Sequence, residues 1–322
     1  MTYEDRARPA RKLLVRETVR EADGVLGVVL TDPQGADLPA WGPGAHLEVC
    51  LPSGRIRHYS LSGDPADRTT YRLGVLREPD GRGGSEEIHT APLAGRLLEV
   101  RGPLNRFPLV PADRYVLIAG GIGITPILPM VRQLAAGPVP WTLLYGGRTL
   151  TSMAYRDELA ALGGRNVSIV PQDSHGLLDL DHALEGLPDT TAVYCCGPGG
   201  LIQAVQERCD RLLPAGSLHV ERFTAPAAGP RGDTGAFEVE LRRSGQVLNV
   251  PPGRSLLDVV REAVPSVAFS CEEGMCGTCE TKVLDGVPEH HDTFLSDSEK
   301  RSGTSMMICV GRSRTSRLVL DL

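Results

Sequence analysis

Four cysteines near the C-terminus constrain this chain more than any other feature of its sequence. Three of them fall within nine residues as C-x4-C-x2-C, and 29 residues (280–308) separate the third from the fourth. They are Cys271, Cys276, Cys279 and Cys309. This is the spacing of plant-type 2Fe-2S sites, in which four thiolates hold two irons. Gly274 and Gly277 lie within the loop, and because they lack a Cβ they allow it to curl around the sulfurs.

A structural zinc site, which also uses four cysteines, is the alternative interpretation. Zinc sites usually combine two short C-x2–4-C pairs, whereas here one loop supplies three cysteines and Cys309 stands alone. His290 and His291 could serve zinc, but adjacent histidines rarely both reach one metal, so we interpret them as loop residues. The remaining cysteines lack comparable spacing, and the apolar neighbours of Cys50 and Cys209 favour packed side chains. These remaining cysteines are Cys50, Cys195, Cys196 and Cys209.

The size and charge of the chain limit the other function classes. Its 322 residues allow two domains or three small ones. The formal net charge of −6 disfavours binding to nucleic acid. The N-terminus is densely charged, unlike a secretory signal, and no run approaches the roughly 18 apolar residues of a membrane span. We therefore expect a cytoplasmic protein without a membrane or nucleic-acid partner, and without a disulfide framework.

Two changes in composition divide the sequence into three predicted domains. A stretch rich in Pro, Gly and Ala, from Thr224 to Gly235, is typical of a linker. A weaker boundary falls at residues 108–114, where two prolines precede an apolar strand. The predicted domains are residues 1–110, 111–226 and 236–322.

Each predicted domain has its own secondary-structure pattern. The first has short alternating runs separated by turns, which predict an antiparallel barrel or sandwich. In the second, apolar strands alternate with helical stretches, which predicts a parallel α/β sheet. The third begins with a hairpin turning at Ser244–Gly245 and a helix capped by Ser255, and it closes with the strands MMICVG and RLVLDL. This last pattern predicts a small α+β domain around the cysteine loop.

The middle domain carries a glycine turn typical of dinucleotide binding. The strand YVLIAG leads into Gly120, Gly121 and Gly123, and a helical segment with Thr125 and Pro126 follows. Such glycines let the backbone approach a pyrophosphate, and the helix N-terminus offers unpaired N–H donors. Pro126 stands where the usual fingerprint has its third glycine, so a tight strand–helix turn without a ligand is the alternative interpretation.

A second strand of the middle domain supports the nucleotide interpretation. It ends in Cys196, Gly197 and Pro198 before another helix, as expected where a ligand lies across the carboxyl ends of parallel strands. The segment HVERF, which closes the domain, would bring Glu221 and Phe223 to the same edge. Without the neighbouring motif, Glu221 would be interpreted as a surface residue and Phe223 as a core residue.

Together these parts resemble the phthalate dioxygenase reductase family, which includes the vanillate O-demethylase reductases. The likeness extends from about Arg11 to Leu322, in the family's order of flavin, nicotinamide and ferredoxin modules. It implies a multidomain protein with an antiparallel β-barrel flavin domain, an α/β parallel-sheet nucleotide domain and an α+β ferredoxin domain of the β-grasp type.

The resemblance also implies the flavin residues. RHYSLSG resembles the family's R-x-Y-S motif, which would place Arg57 near the FMN phosphate and Tyr59 and Ser60 at the isoalloxazine ring. GRGGSEEIH resembles its phosphate loop, and YRLGVLRE the strand whose backbone lines the flavin. An arginine and loop N–H groups suit a dianionic phosphate. Leu104 departs from the family, which usually has arginine there. The flavin residues implied in this way are Arg57, His58, Tyr59, Ser60, Gly74, Val75, Gly83, Gly84 and Ser85.

The order of modules implies an NADH-dependent reductase that passes electrons through FMN and a 2Fe-2S cluster to a separate oxygenase. We expect a Rieske-type oxygenase, with a haem-thiolate monooxygenase as the alternative. No catalytic acid or base is expected, and Cys196 would position the nicotinamide rather than act as a nucleophile. NADH preference and a monomeric state follow the family's habit, although Arg148 could meet a 2′-phosphate. The other hypotheses are an iron–sulfur redox sensor with a vestigial flavin module and a zinc-stabilised interaction protein.

Overall fold

The computed structural model describes residues 10–79, 81–223 and 235–322. The chain divides into two compact units, a larger one spanning Arg8–Phe223 and a smaller one that contains the rest. Residues 224–234 of the predicted linker lie outside the described residues. Within the described ranges, no helix has both the length and the apolar character needed to cross a membrane.

An antiparallel β-barrel forms the first part of the larger unit. Its six strands lie in the order β4-β3-β6-β1-β2-β5, and a bridge between Leu61 and Leu73 joins the two outer strands and closes the sheet. This confirms a barrel rather than an open sandwich. One short helix, α1 (Gly84–Thr90), lies between β5 and β6. The strands are β1 (Arg11–Ala22), β2 (Val25–Thr31), β3 (Ala45–Cys50), β4 (Ile56–Ser60), β5 (Thr70–Leu76) and β6 (Leu97–Asn105).

A five-stranded parallel sheet, with helices on its faces, forms the second part of this unit. Its strand order is β11-β10-β7-β8-β9, so the direction of winding reverses between β7 and β10. Leu117 and Val116 of β7 belong to the apolar clusters on opposite faces, as expected for a sheet covered on both sides. The elements are β7 (Arg114–Gly120), α2 (Ile124–Ala135), β8 (Trp141–Gly147), α3 (Arg156–Gly163), β9 (Val167–Pro171), α4 (Gln172–His175), α5 (Leu180–Leu184), β10 (Thr191–Cys196), α6 (Gly199–Leu212) and β11 (Leu218–Glu221).

Strand β5 belongs to both parts of the larger unit. Its odd-numbered residues Tyr71, Leu73 and Val75 are buried in the barrel core. Side chains alternate along a strand, so Arg72, Gly74 and Leu76 point the other way. Leu76 packs against the apolar core of the α/β part, and Arg72 binds its helix α3. The two parts therefore share a packed boundary along this one strand.

The smaller unit contains a mixed five-stranded sheet in the order β13-β12-β18-β14-β16. Its two central strands, β12 and β18, run parallel, and the outer pairs are antiparallel, which is the predicted β-grasp arrangement. Helix α7 buries Leu256 and Val260 against the sheet, and Ser255 caps it by accepting a hydrogen bond from the Asp258 N–H. The elements are β12 (Phe237–Leu241), β13 (Gln246–Val250), α7 (Leu256–Ala263), β14 (Glu280–Asp285), β15 (Pro288–Glu289), α8 (Asp297–Ser302), β16 (Ser305–Met307), β17 (Arg312–Ser313) and β18 (Arg317–Leu320).

One predicted strand of this unit is shorter than expected. The pattern MMICVG predicted a strand through Cys309, but β16 ends at Met307 and the chain turns. The Val310 and Gly311 amides donate to the Met307 carbonyl and close that turn. The turn moves Cys309 out of the sheet and toward the loop that holds the other three cysteines.

Candidate cofactor sites

The four predicted cluster cysteines converge in the smaller unit and are all buried. Their thiols form two hydrogen-bonded pairs, Cys271 with Cys276 and Cys279 with Cys309. A binuclear cluster takes two thiolates on each iron, so this pairing suits its donor set. Among the described residues, no group of three or more His, Cys, Asp or Glu side chains is arranged for a single metal ion.

Backbone amides of the loop point at the sulfurs. The Glu273 amide lies 3.3 Å from the Cys271 sulfur, and the amides of Cys271 and Thr278 lie 3.5 Å from the Cys276 sulfur. The hydrogen bond with Cys271, together with those that involve Thr278, lowers the pKa of the Cys276 thiol below its ordinary value. A thiolate with fixed N–H donors is the form in which cysteine binds iron, so the loop is preorganised for a cluster.

The two glycines of the loop are required by both conformation and packing. Gly274 and Gly277 have φ of 71° and 72°, in the left-handed region that favours glycine. A Cβ at Gly274 would lie 2.6 Å from the Val310 side chain, and one at Gly277 would overlap the ring of Phe294. The Thr293 amide also donates to the Gly274 carbonyl at 3.1 Å. The segment around Phe294 therefore covers the loop tightly enough to exclude any side chain there.

His290 and His291 pair with carboxylates of their own segment, in line with their interpretation as loop residues. The Nδ1 of His290 lies 3.5 Å from Asp292, and the Nε2 of His291 lies 3.4 Å from Glu289. Asp292 is buried and accepts the Leu295 amide at 2.8 Å. These contacts hold the covering segment in place.

The predicted nucleotide turns meet where the winding of the parallel sheet reverses. The glycine turn follows β7 and the Cys196–Pro198 turn follows β10, on adjacent strands. A Cβ at Gly123 would overlap the Cys196 carbonyl, and one at Gly120 would lie 2.7 Å from Pro198. Gly197 likewise lies against Gly120. These three glycines thus permit the close packing of two turns at the position where open α/β sheets bind their ligands.

Other glycines leave space for a ligand. Gly121 has a φ of 54° and nothing within 4 Å of where its Cβ would be. The same open space surrounds Gly199 and Gly200, which begin helix α6 and were not among the predicted site residues. Their signal was available in the sequence, since a glycine pair directly follows the Cys196–Pro198 turn.

Thr125 and Pro126 lie buried in the first turn of α2. The Thr125 hydroxyl donates to the Ile122 carbonyl at 3.0 Å, which braces the glycine turn. Proline is tolerated in a first helical turn because the missing N–H would have no intrahelical partner. Both residues therefore shape the turn from behind.

Cys196 and Glu221 lie side by side at the ends of β10 and β11, where they are paired in register. Cys196 is fully buried, and burial raises the pKa of its thiol well above the ordinary value. A protonated buried thiol suits positioning rather than nucleophilic attack. Burial also raises the pKa of Glu221 to about 8. Phe223 follows β11 and is 38% exposed.

Ser60 of the barrel meets Glu221 of the α/β part. The Ser60 hydroxyl donates to the Glu221 carboxyl at 3.4 Å, although 161 positions separate the two in the sequence. Ser60 is buried at the end of β4. The contact brings the predicted flavin motif to the predicted nicotinamide residues, as hydride transfer between the two cofactors would require.

Arg57 lies across the predicted phosphate loop. Its guanidinium donates to the carbonyls of Ile56 at 2.7 Å and Arg82 at 2.8 Å. A Cβ at Gly84 would lie 2.5 Å from the Arg57 Nε, and Gly83 has a φ of 75°. The two glycines therefore let the loop close onto the arginine. This places a fixed positive charge beside the backbone of the loop, which fits a phosphate.

Two further residues of the loop matter for its charge and shape. Ser85 accepts a hydrogen bond from the Glu78 amide at 3.1 Å, which ties the loop to the end of β5. Arg55, absent from the predicted residues, lies about 3.7 Å from where a Gly83 Cβ would be and forms an ion pair with Glu87 at 3.3 Å. Its position two residues before Arg57, on the same side of the strand, was the signal in the sequence.

The remaining predicted flavin residues line β4 and β5. Tyr59 packs against the barrel core, and burial raises the pKa of its hydroxyl. The Nε2 of His58 lies 3.9 Å from Glu48, and the His58 ring lies 5.4 Å from that of His46. Val75 is buried, and its carbonyl lies 2.9 Å from the His89 Nε2. Gly74 faces Tyr155 and Thr125 of the α/β part.

Comparison with known proteins agrees with this arrangement. Residues 239–313 match the model of the 2Fe-2S iron-sulfur cluster binding domain, and residues 117–207 match that of the oxidoreductase NAD-binding domain. The solved structure of phthalate dioxygenase reductase, described as modular for electron transfer from pyridine nucleotides to [2Fe-2S], is 38% identical with a TM-score of 0.75, and the match covers 100% of both chains. The chain belongs to the phthalate dioxygenase reductase family.

Two further similarities are informative. The phenoxybenzoate dioxygenase subunit beta of Ectopseudomonas oleovorans is 42% identical to the reductase over 302 residues, which is 94% of each chain. An intact type IV self-sufficient cytochrome P450 monooxygenase matches with 40% identity and a TM-score of 0.85 over 97% of the reductase. The reductase spans only 41% of that longer chain. The predicted cofactors NADH, FMN and 2Fe-2S are confirmed by these family relationships.

Replacing Glu221 by glutamine is expected to flatten the pH dependence of stability in the reductase. With a folded pKa of about 8 against an ordinary 4.5, Glu221 binds its proton more tightly when folded. Its contribution to stability is therefore complete below pH 4.5 and is lost as the pH rises through 8. Between pH 5.5 and pH 8.5, we expect the thermal midpoint to fall about 5 °C less in Glu221→Gln than in the unmodified protein.

Circular dichroism at the two pH values measures this difference. Glu185→Gln, an exposed change outside the site, is the matched control. Equal pH dependence in Glu221→Gln and the unmodified protein would show that Glu221 titrates normally.

Proposed function

We propose that this reductase supplies single electrons from NADH to a Rieske-type oxygenase that acts on an aromatic substrate. The observation that carries the proposal is the contact between Ser60 and Glu221, which joins the flavin motif to the nicotinamide crevice in a chain that also buries four cysteines together. When bound, the cofactors supply the chemistry: a nicotinamide gives a hydride, a flavin divides the electron pair, and a 2Fe-2S cluster takes one electron at a time.

The chain's own residues would bind and orient these groups. Arg57 and the loop of Gly83, Gly84 and Ser85 would hold the FMN phosphate, while Tyr59 and Ser60 would face its ring. Support comes from the guanidinium fixed across that loop. His58, Gly74 and Val75 would form the adjoining wall, Gly74 and Val75 through their backbone.

The nicotinamide nucleotide would lie across the ends of β7 and β10. Gly121 offers open backbone for the pyrophosphate, and Gly120, Gly123, Thr125 and Pro126 would maintain the turn around it. Cys196, Gly197 and Pro198 would support the nicotinamide ring. Glu221 would hold its proton near neutral pH beside Ser60, and Phe223 would border the crevice. Steady-state kinetics with NADH and with NADPH would measure how strongly the reductase prefers NADH.

The four cysteines would hold the cluster, with two on each iron. The residues proposed as ligands are Cys271, Cys276, Cys279 and Cys309. We further propose domain limits of 1–110, 111–226 and 236–322, since the elements β6, β7, β11 and β12 end or begin close to them. A monomeric state, testable by light scattering, completes the proposal.

The choice of a Rieske-type acceptor rests on the relatives that match over their full length. They are named as parts of phthalate and phenoxybenzoate dioxygenases. The haem-thiolate alternative has support from the self-sufficient P450, whose reductase-like part is 40% identical to this chain. In that protein the similar part belongs to a longer chain, so the likeness is weaker support for a haem-thiolate acceptor that is a separate protein.

Reconstitution distinguishes the two acceptors. Purified reductase, loaded with FMN and cluster, is mixed with NADH and either a phthalate-type dioxygenase or a haem-thiolate monooxygenase and its substrate. We expect hydroxylated product coupled to NADH consumption only with the dioxygenase. Product formation only with the haem enzyme would replace the proposal by its alternative.

A further inference from the structure

A group of polar side chains joins the barrel to the α/β part beside the flavin motif. It consists of Ser62 and Arg72 from the barrel and Arg132, Tyr155 and Glu158 from the α/β part, and we call it the Glu158 cluster. Ser62 lies within the RHYSLSG segment and Arg72 within the YRLGVLRE strand, but neither is among the implied flavin residues. Arg132, Tyr155 and Glu158 lie outside the flavin, nicotinamide and cysteine motifs. Every contact in the cluster lies within the larger unit of the chain.

Glu158 is the centre of the cluster. It lies in the first turn of α3, where its Oε2 accepts a hydrogen bond from Arg72 of β5 at 2.7 Å. Its other oxygen accepts one from Arg132 of α2. The three side chains are only 22–23% exposed, so water screens their charges poorly. One carboxylate thus ties the barrel to two helices of the α/β part.

Tyr155 is held against the barrel in an unusual conformation. Its φ of 62° lies in the left-handed region, which a non-glycine residue adopts at a cost. The Arg72 guanidinium lies 4.7 Å from the centre of the Tyr155 ring, and the Tyr155 hydroxyl is 3.4 Å from that of Ser62. The buried ring therefore fills the space directly behind the flavin motif.

Gly74 provides the room that Tyr155 needs. A Cβ at Gly74 would overlap the Tyr155 hydroxyl and lie 2.8 Å from the Thr125 methyl. The φ of Gly74 is not in the left-handed region, so backbone conformation does not require glycine here. Glycine is required here because the Tyr155 and Thr125 side chains approach its Cα closely. Gly74 therefore packs closely against both Tyr155 and the first turn of α2, which follows the nucleotide turn.

Ser60 and Ser62 give the barrel two fixed points on the α/β part. They lie two residues apart, at the end of β4 and just beyond it. Ser60 binds Glu221 at the end of β11, and Ser62 binds Tyr155 just before α3. Two contacts with different segments of the α/β part fix the orientation of the barrel strand, whereas a single contact would leave it free to rotate.

We infer that the Glu158 cluster is a positioning device for hydride transfer, setting the orientation of the flavin strand toward the nicotinamide crevice. The inference rests on the proposed function. Hydride transfer needs its reacting atoms at near-contact distance, and a misplacement of about 1 Å can cost about 100-fold in rate. Loosening the cluster should therefore slow flavin reduction while leaving cofactor binding in place.

Glu158→Gln tests the inference by removing the charge that both arginines bind. In anaerobic stopped-flow experiments with saturating NADH, we expect flavin reduction to slow about 10- to 100-fold. FMN content, iron content and the apparent Kd for NADH should remain unchanged. Asp157→Asn is the matched control, because Asp157 is exposed, adjacent and equal in charge. A Glu158→Gln rate equal to that of Asp157→Asn would overturn the inference.

Hydrogen exchange provides a readout that does not depend on turnover. We expect faster amide exchange in β5 and the first turn of α3 in Glu158→Gln, with unchanged exchange in the smaller unit. Unchanged exchange at β5 would contradict the inference. If the unmodified protein itself fails to reduce its flavin with NADH, the proposed function fails, and exchange at β5 still judges the cluster.

A second pair of variants tests the spacing at Gly74. Gly74→Ala should slow flavin reduction by displacing Tyr155, and adding Tyr155→Phe should recover part of the lost rate by removing the overlapping hydroxyl. A merely structural role would make the two changes additive or worse. Losses that add in the double variant would therefore overturn the positioning role.

Discussion

Replacing Cys276 by serine is expected to abolish cytochrome c reduction by the reductase while sparing most of its NADH–ferricyanide activity. Cys276 is one of four buried thiols that converge on one loop, and it receives two amide hydrogen bonds. Losing a residue that only supports a metal ligand lowers metal affinity or activity about 10- to 100-fold. Losing a ligand itself should cost more, so we expect cytochrome c reduction to fall by more than about 100-fold. Ferricyanide can take electrons from the flavin and bypasses the cluster.

The matched control for this variant is Cys50→Ser. Cys50 is half-buried at the end of β3 in the barrel, remote in sequence from the cysteine loop. The Cys50→Ser variant should retain its iron and both activities. Iron analysis and visible spectra establish the loss of the cluster in Cys276→Ser. Equal loss of both activities in a folded Cys276→Ser protein would contradict a path in which flavin precedes cluster.

Replacing Arg57 by alanine is expected to weaken FMN retention. A hydrogen bond to a charged group contributes about 1.5–3 kcal/mol. Since each 1.4 kcal/mol is tenfold in affinity, the Kd for FMN should rise about 10- to 100-fold. The change also removes the guanidinium that binds the Arg82 carbonyl and shapes the loop. Fluorescence titration of flavin-stripped protein measures the Kd directly.

Two further variants help to interpret the result for Arg57→Ala. Arg96→Ala removes an exposed arginine of the barrel outside the loop and should retain FMN normally. Arg57→Lys keeps the charge but lacks the planar guanidinium fork that can bind a phosphate with two parallel hydrogen bonds, so it should recover only part of the affinity. Full flavin content in Arg57→Ala after dialysis would remove Arg57 from the phosphate site.

Local sequence patterns predicted the elements that depend on neighbouring residues. The cysteine spacing identified the cluster loop, and the short alternating runs of the first domain predicted antiparallel strands where the barrel lies. The glycine turn after β7 was equally visible. Strand β1 was not predicted, because only Leu13 and Val15 of its twelve residues are buried and its charged residues hide the alternation.

Contacts between distant segments could not be read from the sequence. Nothing near Ser60 indicates that its hydroxyl reaches Glu221, and nothing near Gly123 indicates that the Cys196 carbonyl lies against it. Gly120 and Gly123 suggested close approach to a ligand, but their contacts are with a second turn. Spacing alone does not distinguish a glycine that admits a ligand from one that admits another part of the chain.

Strand β5 packs into the barrel core on one face and against the α/β part on the other, and this affects how coenzyme preference could be re-engineered. Exchanging the segment 111–226 between homologous reductases would keep Tyr71, Leu73 and Val75 with their own partners, but it would give Arg72 and Gly74 foreign ones. A chimera joined at the boundary between the barrel and the α/β part would then have mismatched contacts along the length of β5. Successful grafts would have to carry the outward-facing half of this strand together with the helix it recognises.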